Sequence, residues 1–167
     1  MCIRDRTIRV NLEHHYWLKD SFLSRIGKMA PNLKEICIRR VNISNQAFTL
    51  MVNDLVKVEK FDMCDCAQVE DTGFLELINK HGKSLEWLDA SNCQDALTDE
   101  SVQAIANIEN PKLTYLNLSY AKLITDEGLS AFEGKEFMLD TLNLTGLTGV
   151  SGKGLYHPIW ACKETLS

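Results

Sequence analysis

The most constraining feature of this chain is a hydrophobic pattern, L-x-x-L-x-L, that returns every 25 to 28 residues along its whole length. Anchored on the first position, the copies begin at Thr7, Leu33, Val58, Leu85, Leu113 and Leu139, with a further start at Leu166. The three pattern positions of the six full copies are apolar in 17 of 18 cases, where a 45% hydrophobic composition would give about eight. Residues 113–132, LTYLNLSYAKLITDEGLSAF, carry the fullest copy. Alternating apolar positions there describe a half-buried strand, and the stretch that follows opens a helix. Neither piece can bury its apolar face alone, so each copy needs a neighbour.

The strand frame fixes where the second half of each copy must fall. It meets Leu18-Lys19-Asp20, Ile43-Ser44-Asn45, Val69-Glu70-Asp71, Leu97-Thr98-Asp99, Ile124-Thr125-Asp126 and Val150-Ser151-Gly152. An apolar residue followed by Ser, Thr, Asp or Asn marks a helix start, because a side-chain oxygen can accept an unpaired N–H of the first turn. Leu23, Phe48, Phe74, Val102, Leu129 and Leu155 follow, with Ile26, Met51, Ile78, Ile105, Phe132 and Ile159 a turn later, as the inward stripe of each helix. Pro31 and Pro111 stand two residues before an anchor leucine and suit the turn out of a helix, whereas Pro158 is expected to shorten, kink or restart the last helix.

Strand, turn, helix, turn, repeated with short connections, predicts an α/β solenoid: a horseshoe arc with parallel strands on the concave face and helices on the convex face. Residues 1–6, MCIRDR, have no place in the repeat and are read as a tail, native or not. Residues 7–165 form one domain of six repeats, and 166–167 begin a truncated seventh, so the expectation is a piece of a longer protein.

The net charge of −5 argues against general affinity for nucleic acid. No apolar run approaches the roughly 18 residues of a membrane span, and the N-terminus has no secretory apolar core. The expected compartment is the cytoplasm, with the nucleus as the alternative. The six cysteines, at 2, 37, 64, 66, 93 and 162, are read as reduced thiols. Sequons at Asn42, Asn117 and Asn143 receive little weight, since the last two lie inside predicted strands.

L-x-x-L-x-L-x-x-C followed by I-T-D-x-G-L resembles the cysteine-containing subtype of leucine-rich repeats, best in Leu85–Val102 and Leu113–Leu129 and over residues 7–165 in all. The ninth position holds His15, Val41, Cys66, Cys93, Ala121 and Leu147, so two of six copies carry the cysteine, and the ribonuclease-inhibitor type is the nearest competitor. The resemblance implies the repeat region of F-box/leucine-rich-repeat proteins, which act as substrate receptors of cullin-based ubiquitin ligases. Residues 1–32 read as a tail plus the first repeat and not as an F-box, so a ligase adaptor would be reached through a domain absent from this chain. The ribonuclease-inhibitor type implies instead a regulator of small GTPases, for which Arg39-Arg40 is the candidate pair.

Residues between the strand leucines face the concave side. Their middle column is polar: Asn11, Cys37, Asp62, Asp89, Asn117 and Asn143. Trp87 and Tyr115 occupy equivalent places in adjacent copies, with Tyr120 at the strand end. Aromatics flanked by Asp and Asn have the composition of a protein-binding hot spot, so Trp87, Asp89, Tyr115, Asn117, Tyr120, Asp62 and Asn143 are the predicted partner contacts. No cofactor, metal or catalytic group is expected. Cys64-Asp65-Cys66 is opposed as a metal pair by strand alternation, which sends Cys64 to the concave solvent and Cys66 into the turn. Glu13-His14-His15 lacks the order of a zinc hydrolase, and the glycines of 146–154 lack the phosphate-loop order.

Overall fold

The computed structural model describes residues 8–93, 96–109 and 111–162. Thr7, the tail before it and the truncated copy at 166–167 lie outside the described residues. Six three-residue strands alternate with helices: β1 (Arg9–Asn11), α1 (Asp20–Leu23), α2 (Ile26–Met29), β2 (Glu35–Cys37), α3 (Asn45–Asp54), β3 (Lys60–Asp62) and α4 (Asp71–His81). The chain continues through β4 (Trp87–Asp89), α5 (Asp99–Ala106), β5 (Tyr115–Asn117), α6 (Asp126–Ser130), β6 (Thr141–Asn143) and α7 (Gly152–Ala161). The strands form one parallel sheet in the order β1-β2-β3-β4-β5-β6. Its register places Val10, Ile36, Phe61, Leu88, Leu116 and Leu142 side by side, which is the repeat frame read from the sequence.

The core lies between sheet and helices. Ile36, Phe61, Leu88 and Leu116 meet the helix stripe of Leu23, Phe48, Phe74, Val102 and Leu129, all buried. At the two ends, where only one neighbour packs, Val10, Leu12, Leu142 and Leu144 are only partly buried.

The polar residues at the helix starts do more than cap. Ser44, Thr125 and Ser151 accept N–H bonds from Ala47, Glu127 and Lys153, whereas Lys19, Glu70 and Thr98 make no such bond. The residue after the cap instead reaches into the next repeat. Asp20 accepts the N–H of Ser44, Asn45 that of Glu70, Asp99 that of Thr125 and Asp126 that of Ser151, at 2.7–3.1 Å. The Thr98 hydroxyl is spent on Asp71 at 2.7 Å. These bonds run from each copy to the next and tie the repeats along their shared edge.

The same tie explains the glycine of T-D-x-G-L. A Cβ on Gly73, Gly128 or Gly154 would run into the side-chain oxygen of Asn45, Asp99 or Asp126 from the preceding repeat. In the fourth copy Ser101 stands at this place, its hydroxyl within hydrogen-bond reach of Asp71 and of the Ala96 carbonyl.

One expectation fails in α7, which runs through Pro158 without a break. Its buried face passes through Gly154, Pro158 and Ala161, so the proline points inward and Ile159, one residue further round, is 54% exposed. The first repeat differs too: its helix is split into α1 and α2 at Ser24-Arg25. Among the described residues no helix is long and apolar enough to cross a membrane.

Candidate functional site

Register puts the first residue of each strand in one concave row: Arg9, Glu35, Lys60, Trp87, Tyr115 and Thr141. Strands in a sheet lie about 4.8 Å apart, a spacing at which neighbouring flat rings can stack. The rings of Trp87 and Tyr115 do so, with centroids 4.6 Å apart and planes 9° from parallel. Both are half-buried. Burial, reinforced by the charge of Asp89, raises the phenol pKa of Tyr115, so it stays a neutral hydroxyl at physiological pH.

The middle row is Asn11, Cys37, Asp62, Asp89, Asn117 and Asn143, as the alternation predicts. It has a structural task that the sequence reading missed. The side-chain oxygens of Asn11, Asp62, Asp89, Asn117 and Asn143 each accept the N–H two residues on, at 2.9–3.1 Å. This closes the turn that ends each strand. Asp89 and Asn117, on the central strands β4 and β5, are 4% and 8% exposed, so neither faces solvent as the alternation alone suggests. Asn117 also donates to Asp89 at 3.2 Å, and the Ser91 hydroxyl donates to Asp89 at 2.5 Å.

Arg39, at the far edge of β2, reaches across two repeats. Its guanidinium lies 2.9 Å from Asp62 and 3.3 Å from Asp89, and its Nε is 3.8 Å from Glu13. The hydrogen bond and charge of Asp62 outweigh the cost of burying the guanidinium and raise its pKa, which keeps it cationic. Arg40, the other member of the sequence-predicted pair, is held by Asp65 at 2.9 Å.

A further row follows the strands. His14, Arg40, Asp65, Asn92 and Tyr120 all have φ between 56° and 63°, and Gly146 continues the column at 74°. A left-handed residue is needed at this step of every copy to turn the chain away from the sheet; the signal for it is the lack of β-branched residues there. Tyr120 is therefore at the opposite strand edge from the Trp87–Tyr115 stack. Its ring lies over Gly146, where a Cβ would come within 2.6 Å of it. It lines a separate recess of about 340 Å3 with Cys64, Asp65, Ser91, Asn92 and Ser119. The seven predicted contacts are thus divided between a stacked pair, a set of turn-closing polar side chains, and one tyrosine on another rim.

Two of the cysteines are structural. Cys66 and Cys93 are buried, and their thiols donate to the carbonyls of Ile38 and Met63 in the preceding repeat at 3.1 and 2.8 Å. Burial pushes the Cys66 thiol up to about 12 and Cys93 well above its ordinary value. Cys64 lies on the concave edge but is 7% exposed, not solvent-facing; burial likewise raises its pKa, against a hydrogen bond from Ser91 that lowers it. Cys37, Cys64, Cys66 and Cys93 are free thiols. His14 lies 3.4 Å from Glu13, and the His15 ring nitrogen contacts the Glu13 carbonyl at 2.9 Å and its ring packs on Trp17 at 5.0 Å. Among the described residues no cluster of three or more His, Cys, Asp or Glu is placed to hold a metal.

A family model described as "Leucine Rich repeat" matches residues 109–132, the best-formed copy. Together with six parallel strands in register and helices on one side, that match decides the architecture. The fold is a leucine-rich repeat solenoid. A solved chain from the yeast complex of Rad7 and Elc1 has the same fold, with a TM-score of 0.70 at 16% identity over 95% of this chain. The present chain spans 49% of that chain's length. Leucine-rich repeats are binding scaffolds, and the row carrying Arg9, Lys60, Trp87 and Tyr115 is the concave face of this one.

Proposed function

We propose that this chain is a non-catalytic protein-recognition module that binds a partner protein on its concave face. The observation that carries the reading is the Trp87–Tyr115 stack, two half-buried rings held 4.6 Å apart on an otherwise polar sheet face. Each ring already spends part of its area on the other, so the pair is ordered before binding and loses little conformational freedom on complex formation. Asp89 and Asn117 close the turns after the two strands that carry the rings, Asp62 and Asn143 do the same on the flanking strands, and Tyr120 is a second, separate contact.

The finer reading is the substrate-binding part of an F-box-type ubiquitin ligase receptor. Two things support it: the resemblance of the repeats to the cysteine-containing subtype, and the likeness to a chain crystallised in the complex of Rad7 with Elc1. A ligase adaptor would then be engaged through a domain outside this sequence, in the cytoplasm or the nucleus. Regulation of a small GTPase gains no support from Arg39 and Arg40, since both guanidinium groups are already paired with carboxylates.

The test is capture of partner proteins by the chain and by Trp87→Ala/Tyr115→Ala. Loss of specific capture with an unchanged circular dichroism spectrum is expected. Capture that survives the double substitution refutes the assignment of the face.

A further inference from the structure

Resting on the recognition reading, we infer that the partner segment seated beside Trp87 is acidic and carries an aromatic side chain next to its carboxylates. A groove of about 340 Å3 runs along the concave face from Arg9 through Glu35 and Lys60 to Trp87, with Cys37 and Asp62 in its floor. The charges in and around it are sorted by depth. The carboxylates are recessed: the side chains of Glu35, Asp62 and Asp89 are 26%, 14% and 6% exposed. The cations stand out: Arg9 and Lys60 are 75% and 51% exposed.

The recessed carboxylates are already engaged. Asp62 and Asp89 share Arg39 and are filled by N–H and O–H donors besides. Glu35 lies between Arg9 at 3.9 Å and Lys60 at 3.5 Å, so two exposed cations have one carboxylate between them. Glu13, at the other edge of β1, is turned to Arg39 and His14. The groove's own charges balance, Arg9 and Lys60 against Glu35 and Asp62, but an approaching segment meets the exposed Arg9 and Lys60 first, with only Glu35 between them. A carboxylate placed between Arg9 and Lys60 completes their pairing, and the Trp87 ring that lines the groove offers a wall for a flat side chain on the same segment. A basic segment would put its charge against Arg9 and Lys60 and find the deeper carboxylates already occupied.

The experiment titrates the whole chain with two synthetic peptides by isothermal calorimetry, one of alternating Glu and Phe and the other with Lys in place of each Glu. The acidic peptide is expected to bind and the basic one not. Arg9→Glu/Lys60→Glu is expected to weaken acidic binding at least tenfold, and Glu35→Gln to strengthen it. Affinity for the acidic peptide should fall as salt is raised, as for exposed charge pairs. Tighter binding of the basic peptide, binding indifferent to the charge reversal, or no binding of either peptide at millimolar concentration overturns the inference. The recognition reading is judged separately: if partner capture still depends on Trp87 and Tyr115 while the peptides behave wrongly, only the charge assignment fails.

Discussion

Replacing Gly128 by alanine separates this account from ordinary helix propensity. In an exposed helix, Gly→Ala stabilises by about 1 kcal/mol, because alanine gives up less backbone freedom on folding. Here the added methyl meets the Asp99 carboxylate and lies 2.9 Å from the Asp99 Cα. To make room, the carboxylate must release the N–H and hydroxyl of Thr125, both bound at 2.7 Å. At this exposed edge each bond contributes about 1 kcal/mol, and the close approach to the backbone adds strain of about 1 kcal/mol. Against the propensity gain, the net expectation is destabilisation of about 1–2 kcal/mol. Equilibrium urea unfolding measures it, with Asp99→Ala and the double variant completing a cycle. The cycle should show favourable coupling of about 2 kcal/mol, since the two Thr125 bonds are lost in each single variant but only once in the double. Stabilisation by Gly128→Ala alone, or no coupling, would refute the inter-repeat tie.

Two further perturbations address groups buried in the core. His81 is 1% exposed, its Nε2 lies 3.1 Å from the Val52 carbonyl, and its Nδ1 has no partner among the described residues. Burial holds its folded pKa below the ordinary 6.5, so the unfolded chain takes up the proton first and stability falls as pH drops below that value. The decline should level off beneath the depressed folded pKa and be absent in His81→Gln; an identical pH profile in the two proteins argues against it. The thiols of Cys66 and Cys93 should resist iodoacetamide in the native protein at about pH 8 and react in urea, as read by peptide mass spectrometry. Rapid native alkylation, or a disulfide between them, would contradict their role as hydrogen-bonded core groups.

The strand frame was legible because burial leaves a strong trace: Ile36, Phe61, Leu88 and Leu116 are apolar in register and all buried. What faces away from the core was only partly legible. Alternation correctly placed Asp89 and Asn117 on the concave side, yet it carries no information on whether a neighbouring strand covers them or a backbone N–H claims them. The tie from Asp99 to Thr125 joins residues 26 apart. It leaves a visible mark only in Gly128, which reads as an anomaly in a helix until the preceding repeat is in place. Arg39 appears in the sequence only as half of the Arg39-Arg40 pair and not as a clamp on Asp62 and Asp89, because its reach across two repeats depends on the length of its side chain. The break expected at Pro158 is absent: α7 continues through it, with the proline on the buried face alongside Gly154 and Ala161.

The central claim is that partner binding occurs on the concave sheet face, beside the Trp87–Tyr115 stack. The most direct measurement is site-specific photo-crosslinking with p-benzoylphenylalanine at position 141, where Thr141 is exposed and pairs in register with Tyr115, against the same probe at the exposed Glu133, just beyond the end of α6. The account predicts a partner-specific adduct at 141, abolished by Trp87→Ala/Tyr115→Ala, and none at 133. An adduct at 133 with none at 141 would contradict it.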